Sequence, residues 1–456
     1  MLNISHSFRE NKAFRWSILL LISFVMAANY YFYDALSPLK QKMGEILGFS
    51  SGDYGFFIAA YSIPNVFLLM AVFGGMIADK FGIRITGLFF VFFMFAGSLI
   101  TGYGASSYFN AGGYGYNLMS SFWPGMSPAL KVMSIGYFLF GLGAETSIVV
   151  ITKTIVKWFK GKEIAFALGI NLAIARLGAA LSLIITPQLM EPEWTTPIWF
   201  GALLLGIGFL LFLIYVVIDY RFDRREKQIL IEAEEPFNIK DVFALLTNRS
   251  FIYIALLCVT FYSAVFPFMK YAPDLLQNKF SFSEKISGII SSSVYFGTIV
   301  FTPLFGWLTD TKGKSASVML FGSGLLVLVH LVLSMTRVTP IIPMFMLGIA
   351  FSLIPAAMWP SVTKIVDQSR IGTAYGLMFS IQNLGLWGFT LLIGKVLDKS
   401  NPGVTAEMVK AGEASFDYTN PILMLAALGL FGFLFAFLLK REDKISGYGL
   451  ELPNKR

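Results

Sequence analysis

Long apolar runs broken by short polar stretches set the pattern of this chain. A window of about 20 residues, the length of helix that crosses a bilayer, marks twelve such runs. The first three lie near 16–36, 54–78 and 83–102. The fourth and fifth form a helical hairpin over 136–178, folded at the basic turn Lys157-Trp-Phe-Lys-Gly-Lys162, and the sixth lies near 196–218. Six more fall near 251–272, 285–309, 316–336, 340–363, 371–397 and 419–439. The pattern predicts an all-α membrane protein of twelve transmembrane helices in two pseudo-symmetric six-helix bundles. Residues 1–218 form the first bundle, 219–250 a charged linker, and 251–456 the second bundle with its tail. Part of the linker, which carries Arg221-Phe-Asp-Arg-Arg-Glu-Lys227 and Glu232-Ala-Glu-Glu235, suits an amphipathic helix on the membrane face.

Composition agrees with this class. The 456 residues are 56% hydrophobic and 14% charged, with mean hydropathy +0.69. A pI near 9.3 invites a nucleic-acid partner, but the basic residues follow the span pattern instead. With the N-terminus inside, about 24 Lys and Arg fall in or beside inner segments and about 10 on the outer side. That bias orients both termini to the cytoplasm. The first span, preceded by Arg9, Lys12 and Arg15, lacks a small-residue cleavage site and reads as an anchor. A single cysteine, Cys258, excludes an internal disulfide. The Gly-, Ser- and Tyr-rich stretch 103–128 reads as an irregular outer loop, and its Gly112-Gly-Tyr-Gly lacks the strand and lysine of a phosphate loop.

The halves repeat. Gly75-Met-Ile-Ala-Asp79-Lys80-Phe-Gly82 recurs 231 positions later as Gly306-Trp-Leu-Thr-Asp310-Thr-Lys-Gly313. At an offset of 207, Ala167, Gly169, Leu177 and Gly178 match Ala374, Gly376, Leu384 and Gly385. Such doubled registers are characteristic of transporters built from two related halves.

The chemistry concentrates in the fourth and fifth spans. Glu145 and Arg176 stand about 15 residues on either side of the hairpin turn, so at 1.5 Å per residue they share one depth. That depth is near mid-membrane, where a lone charge costs about 2.5–3.5 kcal/mol, so the two should face each other or an internal cavity. At offset 207 their counterparts are the neutral Ser352 and Asn383. A static pair that merely joins the two spans is the bland alternative.

The loop Gly75, Asp79, Lys80, Gly82 and Arg84 resembles the signature loop of the major facilitator superfamily. Within it the chain resembles the lysosomal dipeptide transporters and their bacterial relatives. The similar stretches are Tyr30-Tyr-Phe-Tyr-Asp34, Tyr61-Ser-Ile-Pro-Asn-Val66, Trp158-Phe-Lys-Gly-Lys-Glu163, Ala264-Val-Phe-Pro-Phe268, Gly372-Thr-Ala-Tyr-Gly376 and Ser380-Ile-Gln-Asn-Leu-Gly385. The resemblance implies a major facilitator fold in which Glu145 takes the ammonium of a zwitterionic peptide and Arg176 its carboxylate. The second half would then close over the substrate through Trp359, Gln382, Asn383, Phe266 and Phe268.

Tyr30, Tyr31 and Tyr33 are further lining candidates, although three near-adjacent residues cannot all face one way on a helix. Asp34, near the outer end where water could reach it, reads as a gate or helix-terminus residue. Gly75, Asp79, Lys80, Gly82, Arg84 and Asp310 read as conformational. Asp79 is expected to pair with the basic residues Lys80 and Arg84 of its own loop, or with a neighbouring helix terminus, in one state and release them in another. His330 reads as a neutral side chain at a helix interface. The sequence shows no metal constellation and no nucleophile–base pair, and it implies no cofactor or enzyme activity.

The expected function is movement of dipeptides by uniport, working as a monomer without an accessory subunit. Two alternatives stand beside it: a facilitator or proton symporter for an amino acid or sugar acid, and a membrane sensor that transports nothing. The sequons Asn3 and Asn248 both fall on the inner side, and the short N-terminus holds no acidic di-leucine signal. Both facts point to a bacterial inner membrane.

Overall fold

The computed structural model describes residues 11–223 and 239–453. The described residues are helical, with no strand among them. Eleven helices are long and apolar enough to cross a membrane. Thirteen segments carry the architecture: α1 Lys12–Ala35, α2 Ser51–Ala59, α3 Ile63–Phe67, α4 Met70–Ala105, α5 Pro128–Phe159, α6 Ile164–Leu189 and α7 Thr196–Asp223; then α8 Arg249–Phe280, α9 Glu284–Lys312, α10 Ser315–Met335, α11 Ile341–Ile365, α12 Ile371–Ser400 and α13 Thr419–Ser446. Of the linker, residues 224–238 lie outside the described residues; a short helix, Ile239–Thr247, follows them.

One predicted span differs. The run 54–78 is not a continuous helix: α2 passes into a 3₁₀ turn at Ala60–Ser62, then α3, and Leu69 adopts a left-handed conformation before α4 begins. Pro64 accounts for the 3₁₀ turn, because it lacks the N–H that a continuous helix would bond to the Ala60 carbonyl. Hydropathy alone does not register such a break. A kink divides α4 into two helices at the turn between the predicted second and third spans. There Gly82 sits at φ 83°, ψ 154°, a conformation that side-chain-bearing residues avoid.

The chain divides into two compact units. The first comprises Met1–Ala35, Ile63–Ser182 and Thr195–Glu234; the second comprises Leu36–Ser62, Leu183–Trp194 and Glu235–Arg456. In the first unit, α7 shows how the sequence faces lipid. Leu203, Ile207, Leu210, Ile214 and Val217, three and four residues apart, are all exposed, while Gly201, Leu205, Gly208, Phe212 and Tyr215 on the other side are buried. An exposed apolar stripe of this length is stable only against acyl chains.

In the second unit, the segment Leu36–Ser62 packs against α8 and α12. Asp398 of α12 accepts from the backbone N–H groups of Ser51 and Gly52 at 2.9 and 2.7 Å, at the N-terminus of α2. Lys40 is 5% exposed and meets Asp274 of α8, 2% exposed, at 2.8 Å; Tyr418 donates to the same carboxylate. The Lys40 ammonium also lies 4.6 Å from the centre of the Phe416 ring.

Candidate functional site: a charged, tyrosine-lined group

One charged group of the first unit lies beside α1. Ser23 of α1 donates to Asn171 of α6 at 2.9 Å, and Gly178 lets the α6 backbone close on Ala27. Tyr137 of α5 donates to the Tyr33 carbonyl at 3.1 Å. These interactions draw the three helices together. The Arg176 guanidinium then lies over the ring of Tyr30, 5.6 Å from its centre, within cation–π range. Tyr30 and Tyr33 both feel the charges of Arg176, Glu145 and Asp34. Glu145 and Arg176 are each half-buried.

The α1 residues in this group are 30, 33 and 34, an i, i+3, i+4 set on one helix face. Tyr31 falls on another face, where it is 3% exposed and packs edge-on against Phe200 at 5.6 Å. Asp34 differs from the sequence expectation. It is 2% exposed rather than open to water, and it joins the electrostatic group. Its i+4 spacing from Tyr30 was the available signal.

The second unit holds an aromatic cluster. Trp359 of α11 donates its indole N–H to Tyr262 of α8 at 3.0 Å and stacks on Phe379 of α12 at 4.8 Å. Tyr262 stacks on Phe266 at 5.7 Å, and the Tyr375 hydroxyl donates to the Trp359 carbonyl at 3.1 Å. Gln382 receives a contact from Cys258 at 3.7 Å. Asn383, 2% exposed, donates to the Phe379 carbonyl at 3.1 Å. Phe268 is not part of this cluster: it is 1% exposed and packs edge-on against His330 at 5.3 Å. Two residues of helix separate Phe266 from Phe268, about 200° of rotation, so the two point to opposite sides. His330 places Nδ1 2.8 Å from the Leu326 carbonyl, inside the core. Tyr262 went unnoticed in the sequence, although it stands one helical turn before Phe266.

The first-half loop network also differs in its pairing. Asp79 meets Lys153 of α5 at 2.6 Å rather than Lys80 or Arg84. Lys80 lies over the Phe81 ring at 5.3 Å. Arg84 turns to α7, pairing with Asp219 at 2.7 Å and with Asp223. Lys157 reaches both carboxylates, at 2.8 and 2.9 Å, and the Trp158 indole donates to Asp219 at 3.2 Å. The ladder was readable as two i, i+4 pairs, Lys153/Lys157 and Asp219/Asp223. Gly75, which faces Val149, and half-buried Asp310 lie on α4 and α9.

Helices with lipid-facing stripes and a half-buried group of opposite charges suit a polytopic membrane transporter. The chain belongs to the major facilitator superfamily, whose family model matches residues 19–390 and 271–449. It is 31% identical over 398 residues to the lysosomal dipeptide transporter MFSD1 of Homo sapiens, covering 85% of this chain and 80% of that protein. The Danio rerio protein of the same name is 30% identical over 393 residues, covering 84% and 80%. Among solved structures, the nucleoside transporter NupG aligns with TM-score 0.66 at 16% identity, covering 94% of this chain and 99% of that one. An inward-facing, occupied bacterial homologue of the human lysosomal transporter Spinster gives TM-score 0.67 at 13% identity, covering 94% and 98%. These structural matches establish the fold alone.

Proposed function

We propose that this protein moves small peptides, dipeptides above others, across a bacterial inner membrane by alternating access. Both termini face the cytoplasm and the chain works as a monomer. The observation that carries the reading is the group formed by Arg176, Tyr30, Tyr33, Glu145 and Asp34. A dipeptide at neutral pH is a zwitterion whose ends need one cationic and one anionic partner. Arg176 takes the carboxylate through two N–H donors, and Glu145 takes the ammonium. The relatives named as dipeptide transporters support the substrate class.

Two extended residues span at most about 7 Å, one about half of that and three about 10 Å. A fixed pair of charges therefore selects for length.

The reading includes uniport, with Glu145 assigned to the substrate ammonium rather than to a transported proton. Cytoplasmic acidification during uptake that Glu145→Gln abolishes would reverse this assignment.

The test is thermal stabilisation of the purified protein by dipeptides, amino acids, tripeptides and dipeptides blocked at either end. A ligand of the folded state raises its apparent stability by mass action. Stabilisation by dipeptides that disappears on blocking either terminus is the expected result. Equal stabilisation by all three lengths would sink the two-ended grip. A shift from an amino acid or sugar acid alone would favour a carrier anchored by Arg176.

A further inference from the structure

The two copies of the glycine–aspartate loop are secured by different means. In the first, Arg84 and Lys157 grip Asp219 and Asp223 at the end of α7. In the second, the position matching Arg84 at offset 231 is Ser315, which has no charge to offer. Lys364, which matches Lys157 at offset 207, donates to backbone carbonyls rather than bridging two carboxylates.

The segment after α13 fills this role. Gly447, left-handed at φ 72°, ends α13 and turns the chain back across the loop. Ser315 then donates its N–H to the Leu450 carbonyl at 2.9 Å, and Lys314 donates to the Glu451 carbonyl at 3.0 Å. The carbonyls that Lys364 reaches are those of Gly449 and Leu452, at 3.1 and 2.9 Å. Asp443 of α13 accepts from the Leu450 N–H at 3.0 Å, and the Leu450 side chain is fully buried.

Glu451 makes the decisive contact. The first residue before α10, Lys314, is left-handed and gives that helix no side-chain cap. Glu451 supplies it from 134 residues away, accepting from the Ser317 N–H at 2.8 Å and from its hydroxyl at 2.9 Å. Lys440 of α13 donates to the same hydroxyl at 2.6 Å. A carboxylate at a helix N-terminus satisfies orphan N–H groups and opposes the positive end of the dipole.

The geometry points to Glu451 as a positioning residue of transport: the segment Gly447–Pro453 is a built-in brace that replaces, for the second loop, the Arg84–Asp219–Asp223–Lys157 network of the first. It joins the ends of α9, α10, α11 and α13 into one block, so that they move as a unit when the transporter changes state. The residues involved touch none of the proposed substrate residues. Only the choice of alanyl-alanine as flux probe rests on the dipeptide reading.

The experiment compares the unaltered protein with Glu451→Ala, Glu451→Gln and a deletion of residues 447–456. Hydrogen exchange is measured over 313–320 and, as an internal control, over 80–86. Exchange at 313–320 is expected to rise tenfold or more in Glu451→Ala and in the deletion, less in Glu451→Gln, with 80–86 unchanged. In proteoliposomes the maximal rate of alanyl-alanine uptake is expected to fall at least threefold at an unchanged half-saturation concentration, with partial recovery in Glu451→Gln. Unchanged exchange at 313–320 would remove the brace. Raised exchange with an unchanged maximal rate would reduce it to a static support and overturn the positioning role. If the unaltered protein takes up no alanyl-alanine, the dipeptide reading fails, while the exchange comparison still decides whether the brace exists.

Discussion

Arg176 of α6 lies over the ring of Tyr30 of α1, 5.6 Å from its centre, and Glu145 of α5 acts on the same tyrosine. A guanidinium over an aromatic face is attracted by the ring's negative face. Tyr30→Phe retains the face and should leave dipeptide affinity within about threefold. Tyr30→Leu removes it and should cost about 0.5–2 kcal/mol, roughly 2- to 30-fold, in a thermal-shift titration. Equal losses in both variants would show that the hydroxyl matters and the face does not.

Arg176→Lys retains the charge and loses the fork. Dipeptide binding should weaken by about 10-fold or more, since a point charge cannot reproduce two parallel N–H donors. C-terminally amidated dipeptides, which offer no carboxylate, should bind the two proteins alike.

Glu145→Gln should behave in mirror image. Free dipeptides lose affinity, whereas N-acetylated ones lose little more than they have already lost. A double-mutant style comparison of protein and ligand changes isolates the contact. Additive losses would place the ammonium elsewhere.

Asp219 and Asp79 separate stability from motion. Asp219 is fully buried beneath Arg84, Lys157 and the Trp158 indole, so Asp219→Asn should destabilise by about 3–5 kcal/mol, read as a lowered midpoint of thermal unfolding. The Asp79 side chain is 41% exposed, and its pair with Lys153 is worth at most about 1 kcal/mol. Asp79→Asn should therefore leave the midpoint almost unchanged and slow transport without altering substrate preference.

Lys40 and Asp274 form a buried pair in which each partner neutralises the other. Asp274→Asn alone should be strongly destabilising, because it leaves a buried ammonium with a neutral partner. Lys40→Met combined with Asp274→Leu should recover much of that loss, since apolar residues of similar volume commonly replace buried pairs at little cost. A double variant no more stable than Asp274→Asn would show that Tyr418 needs the carboxylate in its own right.

Helical class and membrane-spanning character were legible because each depends on short-range pattern. The bilayer imposes a length of about 20 apolar residues. The hairpin arithmetic that set Glu145 and Arg176 at one depth used rise per residue alone. It picked out two residues that act on the same tyrosines.

What failed in the sequence reading failed at the level of side-chain direction. Tyr30, Tyr31 and Tyr33 look alike in a string, and only the rotation of α1 sends Tyr31 to Phe200 and brings Asp34 into the charged group. Phe266 and Phe268 separate for the same reason. Asp79 had basic neighbours in its own loop, yet Lys153 took it, because packing of α4 on α5 brings an ammonium closer than the loop backbone can fold its own.

The sequence by itself determined that this chain is an all-helical membrane protein of a transporter family. Hydropathy, repeat and helical rise are properties of the chain taken locally. Only the tertiary structure decided where the helix of the second span breaks, which carboxylate each cation takes, and that residues 447–453 return to cap α10. Those outcomes depend on interactions between residues tens to hundreds of positions apart, where burial and hydrogen-bond satisfaction select one partner among several that the string leaves equivalent.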